Sequence, residues 1–542
     1  MTDADAIGSP VIVTGMHRSG TSFTAALLAS AGIAMGTDLL PADRHNRHGY
    51  FEDNAFLSLN REMVQAAARG GTAGHPDWGW TEDEVFDPIA AGSFRERARE
   101  LLEARREAFG ARRVWGWKDP RTTLLLDFWD RLAPHARYVL VYRQPWDVAD
   151  SMQRLGADVF LRRPEYAWRI WRSYNERLLA FHRAHRERSV LVCGDAVRRE
   201  PGRFFEVVRS RLGLSLEMDS PSEAVVDRTL FRSTPSEDPL IRLAAETHRD
   251  CADVLERLDA AADISGSALW SEHGSLRGVW GGDGARVAVV IPCFNHGEFV
   301  VDAVASAERS VTEPFEIVIV NDGSTEERTV EVLAELRRLG YRVADQPNAG
   351  LGAARNHGFR LARAPYVIPL DADNRLRDGF VGEAVGVMER DDDVGIVYGD
   401  RHEFGARERT VTVPAFEPDE LLPFNFLDAC AVVRKRVWEQ CGGYDETLPN
   451  WEDWDLWIGA VERGWKFHRI PGPAYDYRVR PGSMSAMLQD EDVRRLLLSF
   501  VIAKHRDLYW KRLPEILNAA LRSEVNYQLL KREHDELRAR LG

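Results

Sequence analysis

Cysteine is scarce in this 542-residue chain. The five, Cys193, Cys251, Cys293, Cys430 and Cys441, are scattered and show no CxxC spacing. That excludes a disulfide framework or a zinc site as the organising device and fits a reducing compartment. No apolar run reaches the roughly 18–20 residues of a membrane helix. The opening MTDADAIGSP has acids where an export signal has basic and apolar residues, so the expected location is the cytoplasm. Positive charge is not in excess: the formal net charge is −14, which argues against nucleic acid as a partner. No repeat of solenoid length occurs. What remains is 44% hydrophobic and 29% charged, the balance of a globular protein, and too long for one core.

The pattern predicts two α/β domains. Val11-Ile12-Val13, a Gly-containing turn and a helical stretch (Phe23, Ala26, Leu27, Ala31) read as strand, loop, helix. Arg137–Tyr142 and Val190–Val192 are further buried strands, which implies a mostly parallel sheet. A helical segment, Ile241 to Leu258, leads into a Gly/Ser-rich stretch read as an inter-domain connection. A second α/β domain opens at Val287–Ile291 and includes strands at Phe315–Val320 and Tyr366–Leu370. The expected boundaries are 1–235, a helical segment and linker over 236–284, a second domain over 285–490, and a helical extension over 491–542. The extension carries Leu496, Leu497, Phe500, Val501, Leu529, Leu530 and Leu537, and could pack on the second domain or support self-association.

Gly15-Met16-His17-Arg18-Ser19-Gly20-Thr21-Ser22 follows the first strand and begins a helix. Its glycines let backbone N–H groups converge on one anion, and the helix N-terminus adds positive potential. The spacing is close to GxxxxGK[ST], but Thr21 stands in the lysine's place and the cation is Arg18, which weakens a nucleoside triphosphatase reading. Arg143, after the second strand, and Ser151, on the next helix, could hold a second phosphate. Trp117-Lys118-Asp119-Pro120-Arg121 forms a basic knot between them.

GMHRSGTS, YRQPWDVADS (Tyr142–Ser151), KDPR and GYFED (Gly49–Asp53) together resemble the sulfotransferases that use 3′-phosphoadenosine 5′-phosphosulfate (PAPS), over residues 10–235. The resemblance implies a P-loop-like parallel-sheet domain. Arg18, Ser19, Gly20, Thr21 and Ser22 would cradle the 5′-phosphosulfate, Arg143 and Ser151 would bind the 3′-phosphate, and Lys118 would offset charge on the leaving group. Glu52 is the favoured base, with His17 and His48 behind it; Arg228 and Arg232 are further 3′-phosphate candidates. His45 and His48 flank RHNRHGY, read as an acceptor loop ahead of a metal pair.

In the second half, VAVVIPCFN, EIVIVNDGS, NAGLGAARN…PLDADN and GGYDETLPNWEDWDLW follow in order over residues 286–490. They resemble family 2 glycosyltransferases of the GT-A fold. The resemblance implies a nucleotide-sugar donor, by likeness UDP-linked, with Mg²⁺ or Mn²⁺ offsetting the diphosphate. Asp373 would bind the metal, and Asp371 the metal shell or the ribose. Asp322 would bind the base, with Pro292 and Arg355 near the nucleotide. Asp453 would be the base of an inverting transfer and Glu452 would orient the acceptor. Asp455 is expected to point elsewhere. Trp451, Trp454 and Trp457 fit either a sugar platform or core; Gly442 and Gly443 would permit close approach. Arg480 stands where many relatives carry a metal-binding histidine; it cannot ligate a metal but could pair with diphosphate.

The expected activity is therefore bifunctional, adding a sulfuryl group and a sugar to a glycan or glycoconjugate acceptor, without nucleic acid. Peripheral association with a membrane-bound acceptor, and oligomerisation through the C-terminal helices, fit the same reading. The alternative is a glycosyltransferase whose N-terminal domain only binds a ligand.

Overall fold

A computed structural model describes residues 10–42, 49–67, 90–110, 114–217, 233–267, 276–279 and 284–521. His45, His48, Arg228, Arg232, Leu529, Leu530 and Leu537 lie outside them. The chain divides into two compact units, Met1–Gly274 and Ser275–Gly542. No described helix is long and apolar enough to cross a membrane.

The first unit is built on a parallel sheet of four described strands: β1 (Val11–Thr14), β2 (Gly116–Lys118), β3 (Arg137–Tyr142) and β4 (Ser189–Cys193), ordered β2-β1-β3-β4. Every strand residue is buried, because helices cover both faces. Alternation along the strands assigns the two faces. Ile12, Leu140, Tyr142 and Leu191 join one core; Val11, Val13, Val139, Val141, Val190 and Val192 join the other. The helices Pro239–Thr247 and Arg249–Ala261 supply Ile241, Ala244, Val254, Leu255 and Leu258 to the first of these cores. The helical segment expected at Ile241–Leu258 is thus two core helices, the second of which packs on the Glu165–Ala184 helix. The chain reverses strand order at β1, the place where open α/β sheets bind ligands at their C-terminal edge.

The second unit carries β5 (Val287–Cys293), β6 (Phe315–Asp322), β7 (Arg342–Gln346), β8 (Tyr366–Pro369), β9 (Arg375–Leu376), β10 (Val394–Gly405), β11 (Arg409–Val411), β12 (Val432–Arg434) and β13 (Lys466–Val479). The order is β7-β6-β5-β8-β12-β10-β13-β9, with β11 on β10. β7, β6, β5 and β8 run parallel; β12 enters antiparallel to both β8 and β10. The helix Glu491–Lys504 of the tail is held by ion pairs from Lys504 Nζ to Asp445 (2.7 Å) and Asp455 (2.8 Å). His505 adds Nε2 to Asp455 and Nδ1 to Glu462, both at 3.0 Å.

Candidate active sites

In the first unit β1, β2 and β3 deliver their C-terminal ends to one place. Gly15 is required there, since a Cβ would stand 2.0 Å from the Val141 carbonyl oxygen. The loop then turns through two left-handed residues, Arg18 (φ 68°) and Gly20 (φ 96°), into the helix Thr21–Ser30. An arginine in that conformation is strained and must be held by its surroundings. Here Arg18 Nε donates to Ser151 Oγ (2.8 Å) and its carbonyl accepts from Arg143 Nη1 (3.5 Å). Residues 125 and 133 positions apart thus meet at one loop. Arg143 is anchored from behind by Asp195 (2.8 Å) and Asp147 (3.8 Å). Burial drives the Asp147 carboxyl up to about 6 against the pull of Arg143. Thr234 donates to the same carboxylate through its N–H (2.9 Å) and Oγ1 (2.6 Å).

Glu52 and Lys118 form a buried ion pair, Nζ to Oε1 2.6 Å, with Arg121 Nη1 3.6 Å from Oε2. Arg121 is oriented in turn by Asp119, which Asn60 also binds. Burial, then the charges of Arg121, Lys118, Arg18 and Arg61, hold the His17 imidazole well below its ordinary pKa, so it is neutral near pH 7. His17, itself in the loop after β1, is therefore near Lys118 and Arg121 as well as Arg18. Ser19 Oγ is buried and without a hydrogen-bond partner among the described residues, as expected of a loop shaped for an anion. Thr21 and Ser22 open the helix, where backbone N–H groups lack intrahelical partners.

In the second unit Pro292 is buried in β5, Asp322 ends β6, and Asp371 and Asp373 follow β8. Asp322 is buried and accepts from Gln346 Nε2 (2.8 Å) and the N–H groups of Ala349 (2.8 Å) and Gly350 (3.0 Å), so it shapes the turn that leads into Leu351–Leu361. Arg355 on that helix joins the site's two halves. It donates to Asp371 Oδ1 (2.7 Å) and pairs with Glu452, with its guanidinium over the Tyr444 ring (5.7 Å). Glu452 and Asp453 open the helix Glu452–Glu462 after Trp451, which is left-handed (φ 65°). Burial, reinforced by Glu452, pushes the Asp453 carboxyl well above the carboxylate range; burial also raises Asp371. Asp455 turns away to Lys504 and His505. Trp454 and Trp457 are core, their indole N–H groups donating to the carbonyls of Leu421 and Leu427.

Asp373 Oδ2 accepts from Arg480 Nε (2.9 Å), and Arg480 also meets His296. Arg478 is fully buried, donates to the Asp373 carbonyl (3.0 Å) and pairs with Asp302 (3.1 Å). Sequence reasoning did not name Asp302, Arg478, Asn425 or Asp428 as site residues. Among the described residues no three His, Cys, Asp or Glu side chains converge to hold a metal alone. Asp371 and Asp373 nevertheless fit a hard cation: both reach solvent, and each has one oxygen outside these ion pairs. Mg²⁺ or Mn²⁺ held by two carboxylates takes its remaining ligands from phosphate and water.

The comparisons with known proteins fall on the same two regions. Residues 10–218 match the family model described as Sulfotransferase family, and residues 288–432 match Glycosyl transferase family 2. An uncharacterized glycosyltransferase of Rickettsia felis is 26% identical over 186 residues, 32% of this chain and 31% of that protein. Chondroitin synthase of Escherichia coli is 26% identical over 184 residues, 33% of this chain and 27% of that protein. The chain thus spans about a third or less of the length of these relatives. Among solved structures, S. aureus TarS 1-349 aligns with 43% of this chain and 71% of its own at 19% identity and a TM-score of 0.34. The chain accordingly carries, in order, a sulfotransferase-family segment over 10–218 and a glycosyl transferase family 2 segment over 288–432.

Proposed function

We propose that the protein is a bifunctional transferase of glycan or glycoconjugate biosynthesis, moving a sulfuryl group from PAPS and a sugar from a nucleotide-sugar, UDP-linked and with inversion, to hydroxyl acceptors. The observation that carries the first half is the meeting of Arg18, Arg143 and Ser151 behind a left-handed phosphate loop. A 5′-phosphosulfate would lie on the amides of Ser19–Ser22, with Arg143 and Ser151 at a 3′-phosphate. As the acceptor oxygen forms its bond to sulfur and the S–O bond to phosphate breaks, Glu52 takes the hydroxyl proton. Lys118 offsets the negative charge left on the bisphosphate.

In the second unit Arg355 holds Asp371 and Glu452 at a fixed spacing. A divalent cation on Asp373 and Asp371 would offset charge on the leaving diphosphate. Asp453 takes the acceptor proton, and its raised pKa makes it the stronger base once ionised. Glu452 orients the acceptor, while Asp322, Pro292 and Arg355 line the nucleotide end. The chondroitin synthases among the relatives make a polysaccharide acceptor the natural class.

The test is the full chain with PAPS, a panel of UDP-sugars and oligosaccharide acceptors. Asp373→Ala should abolish sugar transfer and spare release of adenosine 3′,5′-bisphosphate; Arg143→Ala should do the reverse. Loss of both activities from either substitution would overturn the two-site reading. Absence of bisphosphate release from the wild type would reduce the first unit to a binding module.

A further inference from the structure

Seven of the twelve large apolar side chains left exposed among the described residues stand between Leu496 and Leu521, on the helical tail of the second unit. Scattered exposed leucines need no explanation, but a contiguous stripe does. The tail runs through the helices Glu491–Lys504 and Arg506–Lys511 and a helical stretch over 513–521, with single-residue breaks at His505 and Arg512. One face is packed. Val501, Tyr509 and Ile516 join the core of the second unit, and Tyr509 donates to the Leu422 carbonyl (2.8 Å). Lys504 pairs with Asp455 (2.8 Å) and Arg512 with Asp419 (2.7 Å). Helical spacing turns Leu496, Phe500, Trp510, Leu517 and Leu521 the other way, where Trp510 is 80% exposed, Leu496 71% and Leu521 63%.

Area, spacing and charge select the occupant. The largest apolar patch of a typical monomer is about 300–600 Å². These side chains leave on the order of 800 Å² open, the share that each partner gives to a standard interface. The spacing is symmetric. Leu496 and Leu517, Phe500 and Leu513, Ala503 and Trp510, and Arg506 and Asp507 stand at equal distances in sequence from the 506–507 peptide bond. Two copies laid antiparallel across a two-fold axis at that point bring each of these pairs together between chains, apolar on apolar and Arg506 on Asp507. Charge points the same way. With Lys504 and Arg512 turned inward, the exposed bases Arg494, Arg495, Arg506 and Lys511 are matched by four exposed acids. The tail therefore offers no net attraction to an anionic lipid surface, and the chain as a whole carries −14.

We propose that this face is the interface of a two-fold symmetric dimer, formed between the tails of two copies of this chain. The inner face of each tail holds Asp455, on the helix that opens with Glu452 and Asp453, so each half of the seam also braces one such helix. The pairing depends on neither transfer activity.

The experiment is sedimentation velocity on the full chain at about 10 µM, where an interface of standard size is populated. Wild type should sediment as a dimer. Trp510→Asp with Leu517→Asp should raise the dimer Kd about a hundredfold, and Leu496→Asp alone about tenfold, since each removes buried apolar contacts from both halves of the seam. Thermal melts should match wild type, because these positions are exposed; should the double variant melt early, Leu496→Asp, on the other helix, decides. Leu496→Cys with Leu517→Cys should give a disulfide-linked dimer on oxidation with copper phenanthroline, and wild type under the same oxidation should not. A monomeric wild type, a dimer that survives these aspartates, or absence of the cross-link overturns the proposal. So does a monomer that floats with vesicles of phosphatidylcholine and phosphatidylglycerol, which would assign the face to lipid.

Discussion

Replacing Arg355 by Met removes a guanidinium that touches both Asp371 and Glu452 while keeping an unbranched apolar stem. Arg355 is 3% exposed, Glu452 5% and Asp371 30%, so water can compensate Asp371 in part and Glu452 hardly at all. Breaking a buried pair by deleting one partner costs about 3–5 kcal/mol, since a charge stays buried without its counter-ion. For a unit of this size each kcal/mol shifts the melting temperature by about 2–4 °C, so the second unit's transition should fall by about 6–20 °C. Differential scanning calorimetry on the full chain reads this, because two units need not melt together and the first unit's transition serves as internal reference. Arg355→Lys keeps the charge but cannot fork, and should recover most of the stability and little of the sugar transfer. Sulfuryl transfer should be unchanged in both variants. A second-unit transition left within about 2 °C of wild type, about 0.5–1 kcal/mol on the same scale, would refute the assignment of Arg355 as the joint of that site.

Arg143→Lys should weaken PAPS binding by about tenfold or more, and adenylyl sulfate binding little, because only the former carries the 3′-phosphate; competition binding measures the ratio. Sugar transfer should rise with pH along an acid limb placed well above ordinary carboxylate titration, since Asp453 must be ionised to accept a proton and its pKa is raised; Asp453→Asn should remove both the limb and at least about 99% of the rate. Arg480→Ala should lower the Mn²⁺ concentration for half-maximal sugar transfer by about tenfold, since it takes a positive charge off Asp373. His505 has a raised pKa because Asp455 and Glu462 bind it, so its contribution to stability is complete below about 6.5 and is lost as pH rises through the folded value. Thermal melts of wild type and His505→Gln should therefore differ most at low pH and converge in alkali.

The sequence by itself determined six of the thirteen described strands, the Gly-containing loop and the acid pairs, because each is written in local terms. Val11–Val13 and Val287–Ile291 are continuous apolar runs, Gly15 and Gly20 mark a turn into a helix, and Asp-x-Asp ends a strand. It also determined the order of the two family segments. Tertiary structure alone decided which charges meet. Glu52 lies 66 residues from Lys118, Arg18 lies 133 from Ser151, and Arg355 lies 97 from Glu452, separations at which no periodicity survives. It likewise decided which core the 239–261 helices join, since an amphipathic stripe declares a buried face but not the partner that buries it. Local preference acts over a few residues, whereas a charge is defined by what its neighbours leave uncompensated, and those neighbours are chosen only when the chain closes on itself.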